Sequence, residues 1–99
     1  MDKRGFHIAK KETFGDQVVG FKMFFPNGYG VSVIFGTFTE SDPLYLNKKD
    51  EFYDYQCESA EVAVISPDGS LIPFISEGVI KSKVKPEQLP QIIYWAMSK

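Results

Sequence analysis

A single pentapeptide, Phe25-Pro26-Asn27-Gly28-Tyr29, limits what this chain can fold into more than any other stretch. Proline at the second turn position, asparagine at the third and glycine where φ must be positive spell a type I turn closed by a glycine bulge. A two-residue Asn-Gly hairpin fits less well, because Pro26 would then stand in the strand ladder without an N–H to give. The three-residue loop sets the register around it. Phe25 faces Tyr29, Met23 faces Val31, Phe21 faces Val33 and Val19 faces Phe35, all on one side of a ribbon spanning Val18 to Phe38. That side is read as continuous core. The other side sets Val18, Gly20, Lys22 and Phe24 against Gly36, Ile34, Ser32 and Gly30. Two readings of it stand: Phe24 covers Gly30 across the strand pair, or Lys22, Phe24, Gly30 and Ser32 form a face held open for a ligand.

The same turn chemistry recurs at Ser66-Pro67-Asp68-Gly69-Ser70, between an alternating run from Glu61 to Ile65 and a return strand from Leu71 to Ile75. Val64 then faces Ile72 and Val62 faces Phe74, and Pro73, which cannot donate to a ladder, marks an edge or an end. Two successive hairpins read as one antiparallel meander. Near the C-terminus, Leu89, Ile92, Ile93, Ala96 and Met97 recur at helical spacing after Pro86 and Pro90, two residues suited to a helix start. A helix so short must dock on the sheet to persist. Residues 1–16 are a poorly defined N-terminal segment in which Phe6, Ile8 and Phe14 suit a short edge strand against the main hairpin.

The expected architecture is α+β: one domain over residues 1–99, a four- or five-stranded antiparallel meander, and one C-terminal helix packed on a face. At 43% hydrophobic and 15% aromatic residues the chain fills a small core without disulfides or metal. Each large buried side chain contributes roughly 1.5–3 kcal/mol to it. A single cysteine, Cys57, and an N-terminus unlike a signal peptide point to a reducing cytoplasm and to no membrane.

Residues 40–60 read as a long acidic and aromatic connection without a clean period. Between Glu40 and Glu61 seven acids face two lysines, although the whole chain carries only −2. Tyr45, Phe52, Tyr53 and Tyr55 lie among Asp50, Glu51, Asp54 and Glu58. Either the rings fold back over the sheet, or the segment is a recognition surface in which tyrosines supply contact area at low entropic cost. Trp95, outside the helical stripe, is core-edge packing or a second anchor for a partner.

Catalytic chemistry is sparsely provided. A nucleophile needs a base and an orienting group beside it, and the one histidine, His7, lies near the chain's N-terminal end with no recognisable catalytic context. Gly28-Tyr29-Gly30 lacks the following helix and the Gly-Lys-Ser or Gly-Lys-Thr of a phosphate loop. Asp68-Gly69 lacks the alternate acids of a calcium loop. The carboxylates of residues 50–58 leave room for a metal-dependent hydrolase, a third reading after protein binding and ligand binding. Direct nucleic-acid binding is disfavoured, because the rings are interleaved with acids where a binder carries lysine and arginine.

The run from Phe25 to Ile34, then Glu61-Val62-Ala63-Val64, Asp68-Gly69, Val79-Ile80 and the helix after Pro86, resembles a group of small uncharacterised proteins encoded by bacteriophages and prophages, which share an Asn-Gly-Tyr-Gly-x-Ser-Val segment. Where that group has Thr-Asp-Asp ahead of Val-Ile, this chain has Ser76-Glu77-Gly78. The resemblance implies no activity or cofactor; it implies an accessory protein acting in a host bacterial cell by binding a host factor. The leading expectation is therefore a non-catalytic inhibitor of a host protein, an anti-CRISPR or similar anti-defence component. Its partner-binding residues are expected to be Tyr45, Asp50, Glu51, Tyr53, Asp54, Tyr55, Glu58 and Trp95. The alternative is a small-ligand or nucleotide-sequestering protein, as a homo-oligomer, using the face around Lys22 and Phe24.

Overall fold

A computed structural model of the chain describes residues 5–10, 19–35, 45–49, 52–73 and 78–99, excepting the side chains of residues 9, 10, 19 and 45–49. The fold is α+β, built mostly of antiparallel sheet with one C-terminal helix against it. Among the described residues there are eight strands. They are β1 (Phe6–Lys10), β2 (Val19–Phe24), β3 (Gly30–Phe35), β4 (Tyr45–Lys49), β5 (Phe52–Cys57), β6 (Ala60–Ile65), β7 (Leu71–Ile72) and β8 (Ile80–Val84). A 3-10 turn, Pro86–Gln88, leads into the helix α1 (Leu89–Met97).

The larger sheet runs β2-β3-β6-β7, with β8 pairing the part of β6 that β7 leaves free. Its first hairpin has the register that the turn chemistry dictates: Val19 opposite Phe35, Phe21 opposite Val33, Met23 opposite Val31. Gly28 takes a φ of +88° and donates its N–H to the Phe25 carbonyl at 2.9 Å, while the Phe25 N–H reaches the Tyr29 carbonyl at 2.8 Å. The second turn repeats this, with Gly69 at +90° and Val64 opposite Ile72. β7 stops at Ile72, one residue before Pro73, and Phe74 lies outside the described residues. Between β6 and β8 a bulge sets two residues, Ser82 and Lys83, against Glu61, with Lys83 at a φ of +58°.

At the second turn, the Asp68 carboxylate accepts hydrogen bonds from the Ser66 hydroxyl and, at 2.9 Å, from the Ser70 N–H. These two bonds, the hydroxyl's first, hold its carboxyl below the ordinary value. A carboxyl easier to ionise in the folded chain stabilises it above the unfolded pKa, and that contribution is lost as pH falls through the folded value. Asp68→Asn is therefore expected to lose less Tm than the wild type between neutral and acid pH, as thermal melts across the carboxylate range will show.

The smaller sheet has the order β1-β5-β4 and occupies the stretch expected to be a connection. β1 is a strand, but it pairs with β5 rather than with the main hairpin: Phe6 is opposite Cys57 and Ile8 opposite Tyr55. Those residues turn one face inward. The chain then crosses to the larger sheet through Glu58 and Ser59, where the Cys57 thiol donates to the Ser59 carbonyl at 2.9 Å.

Both sheets and the helix share one core. Val31, Val33 and Phe35 from β3, Ala60, Val62 and Val64 from β6, Val84 from β8, Cys57 from β5 and Leu89, Ile92 and Ala96 from α1 form its buried cluster. Phe35 is the junction: its ring centroid lies 5.6 Å from that of Phe6 and 6.3 Å from that of Phe21. Of the expected helical stripe, Met97 stays exposed, whereas Trp95 packs on the cluster from its side. No helix among the described residues is long and apolar enough to cross a membrane.

The face of the first hairpin that carries Lys22 and Phe24 is closed on β3, against the open-face reading. Gly30 and Ser32 are buried. A Cβ on Gly30 would meet Cδ1 of Phe24 at 2.6 Å, so the Phe24 ring fills the space that glycine leaves.

Candidate functional site

Alternation along β5 builds the site. Tyr53 is half-buried and Tyr55 and Cys57 are buried on the inner side, while Phe52, Asp54 and Gln56 take the outer side. Phe52 keeps 43% of its surface exposed, a large apolar ring in water on an otherwise polar face. Glu58, just past the strand, is exposed.

Beside these stands His7 of β1, whose partner in register is Gln56. Its Nδ1 lies 2.8 Å from Oδ2 and 3.0 Å from Oδ1 of Asp54, a diagonal cross-strand pair that ties β1 to β5 on the outer face. The side chains of His7 and Asp54 retain 28% and 24% of their exposure, so the pair is reachable from solvent. On β4, Tyr45 is in register with Gln56 and Asn47 with Asp54. His7, Gln56 and Tyr45 thus form one row across the small sheet, and Ala9, Asp54 and Asn47 a second.

At one end of this face a cleft of about 350 Å³ opens between Gly5, Glu58, Lys85, Pro86 and Glu87. Gly5 is required there: its φ is +95°, and a Cβ would run into the Cys57–Glu58 backbone. The Gln88 side chain folds back to accept the Lys85 N–H at 2.8 Å, which fixes the cleft's other wall.

No family model, no curated protein and no solved structure matches the chain.

Of the residues expected to bind a partner, Asp54 and Glu58 lie on or beside the outer face, and Tyr45 is aligned with it through the β4 register. Tyr55 is the correction. It is only 3% exposed, because its position in the alternation directs it between the sheets, and it belongs to the core. Tyr53 faces the same inner side and is half-buried. Asp50 and Glu51 lie outside the described residues. Trp95, on α1, is half-buried against the core cluster, with the Lys99 ammonium 3.8 Å above its ring centroid. Lys22 and Phe24 are exposed on β2, but Gly30 and Ser32 are not accessible beside them.

Cys57 and His7 occupy opposite faces of the small sheet, which separates the chain's thiol from its imidazole. Among the described residues no three of His, Cys, Asp and Glu converge as metal ligands do.

Phe52, named as one ring of the segment, and His7, weighed only as a base, are not among the residues expected to bind a partner. Phe6-His7-Ile8 does carry a signal, a polar residue between two apolar ones at strand period. In β5 the signal is masked, since Phe52 points out while two tyrosines point in.

Proposed function

We propose that this chain is a non-catalytic protein that binds another protein through the outer face of β1, β5 and β4, with Phe52 as the apolar anchor and Asp54 and Glu58 as its acidic surround. The single observation that supports the reading is the exposed Phe52 ring on the same outer face as Asp54, with Glu58 just beyond, on a strand whose inner face is taken up by the core. An aromatic anchor ringed by polar groups is the ordinary make-up of a protein-binding patch. The acids add steering towards a basic partner surface. In the setting that the phage resemblance implies, the partner is a host bacterial protein and binding inhibits it, as an anti-defence inhibitor would.

The test is comparative capture from a bacterial lysate, with folded variants as bait. Phe52→Ala and Glu58→Lys are expected to lose at least tenfold of the partner that the wild type retains, with Tm shifted by no more than a few degrees. The His7–Asp54 pair is reachable from solvent, and breaking it costs on the order of 1 kcal/mol, so Asp54→Lys belongs in the same set. Lys22→Ala, on another face, should bind as the wild type does. A partner retained by every variant of the outer face, or lost equally with Lys22→Ala, counts against the assignment.

The cleft beside Glu58 and Lys85 favours a second reading, sequestration of a small ligand. A stabilising thermal shift with nucleotides that Lys85→Ala abolishes would move the assignment there.

A further inference from the structure

Among the described residues β2 pairs on one side alone, with β3. Its outer edge is not defended as sheet edges usually are. Phe21 is 43%, Met23 36% and Phe24 64% exposed, three large apolar side chains on one six-residue strand that carries a single charge, Lys22.

The backbone of that edge is also open for pairing. The Phe25 N–H bonds to Tyr29, so hydrogen-bonded pairs with β3 fall at Met23, Phe21 and Val19 as the ladder alternates. Gly20, Lys22 and Phe24 therefore aim their N–H and C=O groups away from the sheet.

We infer that β2 is a self-pairing edge: two copies of this chain join β2 to β2, antiparallel, about a two-fold axis at Phe21, and continue the larger sheet across the dimer. The self-complementarity of the strand carries this. An axis perpendicular to the sheet keeps each face on its own side, so only registers that match outward position to outward position are allowed. An axis at Lys22 would stack two lysines, which repels. An axis at Phe21 sets Phe21 against itself, Met23 against Val19 and Lys22 over Gly20, large against small and with no like charges opposed. In that register the outward groups of Gly20 and Lys22 complete each other's bonds.

The apolar side of the junction is continuous with the core. Phe21 already lies against Phe35, and its exposed half would be covered by the partner's Phe21. This surface is distinct from the outer face of the small sheet, so dimer and partner binding are separately testable.

Sedimentation and cysteine cross-linking decide it on the full chain. The wild type is expected to double in mass as concentration rises, with the amides of Gly20 and Lys22 becoming protected from exchange. Lys22→Pro removes an outward N–H while sparing the β3 ladder, and should abolish the doubling without loss of the folded circular dichroism spectrum. Phe21→Lys should do the same by repulsion. Facing residues at a non-hydrogen-bonded pair lie about 4.5 Å apart at Cα, close enough for a disulfide. Under mild oxidation Phe21→Cys should form a covalent dimer and Lys22→Cys should not. A mass that never rises above the monomer overturns the proposal, as does a dimer indifferent to Lys22→Pro. Cross-linking through Lys22→Cys in place of Phe21→Cys also overturns it. A chain that stays monomeric yet protects β2 on adding an extended peptide would reassign the edge to a foreign strand.

Discussion

Phe35→Ala is expected to cost about 3–5 kcal/mol, the range for truncating a fully buried phenylalanine and leaving a cavity. For a chain of this size that is roughly a 15–30 °C fall in Tm. The size follows from where the ring sits. Phe35 ends β3, and it touches Phe6 from the small sheet and Phe21 from the edge of the large one, so one truncation loosens both sheets. Urea melts followed by far-ultraviolet and aromatic signals should fall together in one transition. Tyr94→Ala, at a site 74% exposed on the helix, should stay within about 0.5 kcal/mol of the wild type. If Phe35→Ala proved as mild as Tyr94→Ala, or if the two signals separated, the sheets would not share one core.

Asn27 gives the second large effect. Its side-chain amide donates to the Ala96 carbonyl at 2.9 Å and to the Met97 and Lys99 carbonyls at 3.2 Å, while its Oδ1 accepts the Tyr29 N–H at 3.1 Å. One turn residue thus shapes its own hairpin and closes the C-terminal end of α1, where carbonyls have no partner within the helix. Asn27→Ala removes these bonds and hands the exposed Met97 and Lys99 carbonyls back to water, and is expected to cost about 0.5–1.5 kcal/mol. Asn27→Asp keeps the acceptor to Tyr29 but replaces donors with a negative charge at the negative end of the helix, adding roughly 0.3–1 kcal/mol. The aspartate variant should therefore be the weaker of the two at neutral pH. The carboxyl introduced there is harder to ionise in the folded chain than in the unfolded one, so its penalty should shrink as pH falls through the carboxylate range. Denaturant melts at neutral and acid pH give the comparison. An aspartate variant as stable as the wild type at neutral pH would mean that the amide does not cap the helix.

Such a contact spans about seventy residues of sequence, and no local pattern announces it. The Asn27-Gly28 pair says that the chain reverses; it says nothing about what the asparagine meets afterwards. Gly28 carries the same lesson, since a Cβ there would reach Pro67 at 3.2 Å, placing the two turns side by side at one end of the sheet.

What the sequence determined by itself was local and short-ranged in its physics. Positive φ at glycine and the fixed φ of proline set both turns, and turn length then set the register of β2 with β3 and the end of β7 before Pro73. Helical spacing of apolar residues was enough for α1, because a stripe on a short helix has nowhere to go but onto a sheet. Only the tertiary structure decided that residues 45–49 and 52–57 are strands of a second sheet. Tyrosine suits a buried face and a wet one alike, so alternation in β5 carried no readable sign until Phe6 and Ile8 arrived from β1 to bury Tyr55 and Cys57 and to leave Phe52 outside. Sheet partnership between distant strands is settled by which faces the shared core can cover, and that is a property of the assembled chain.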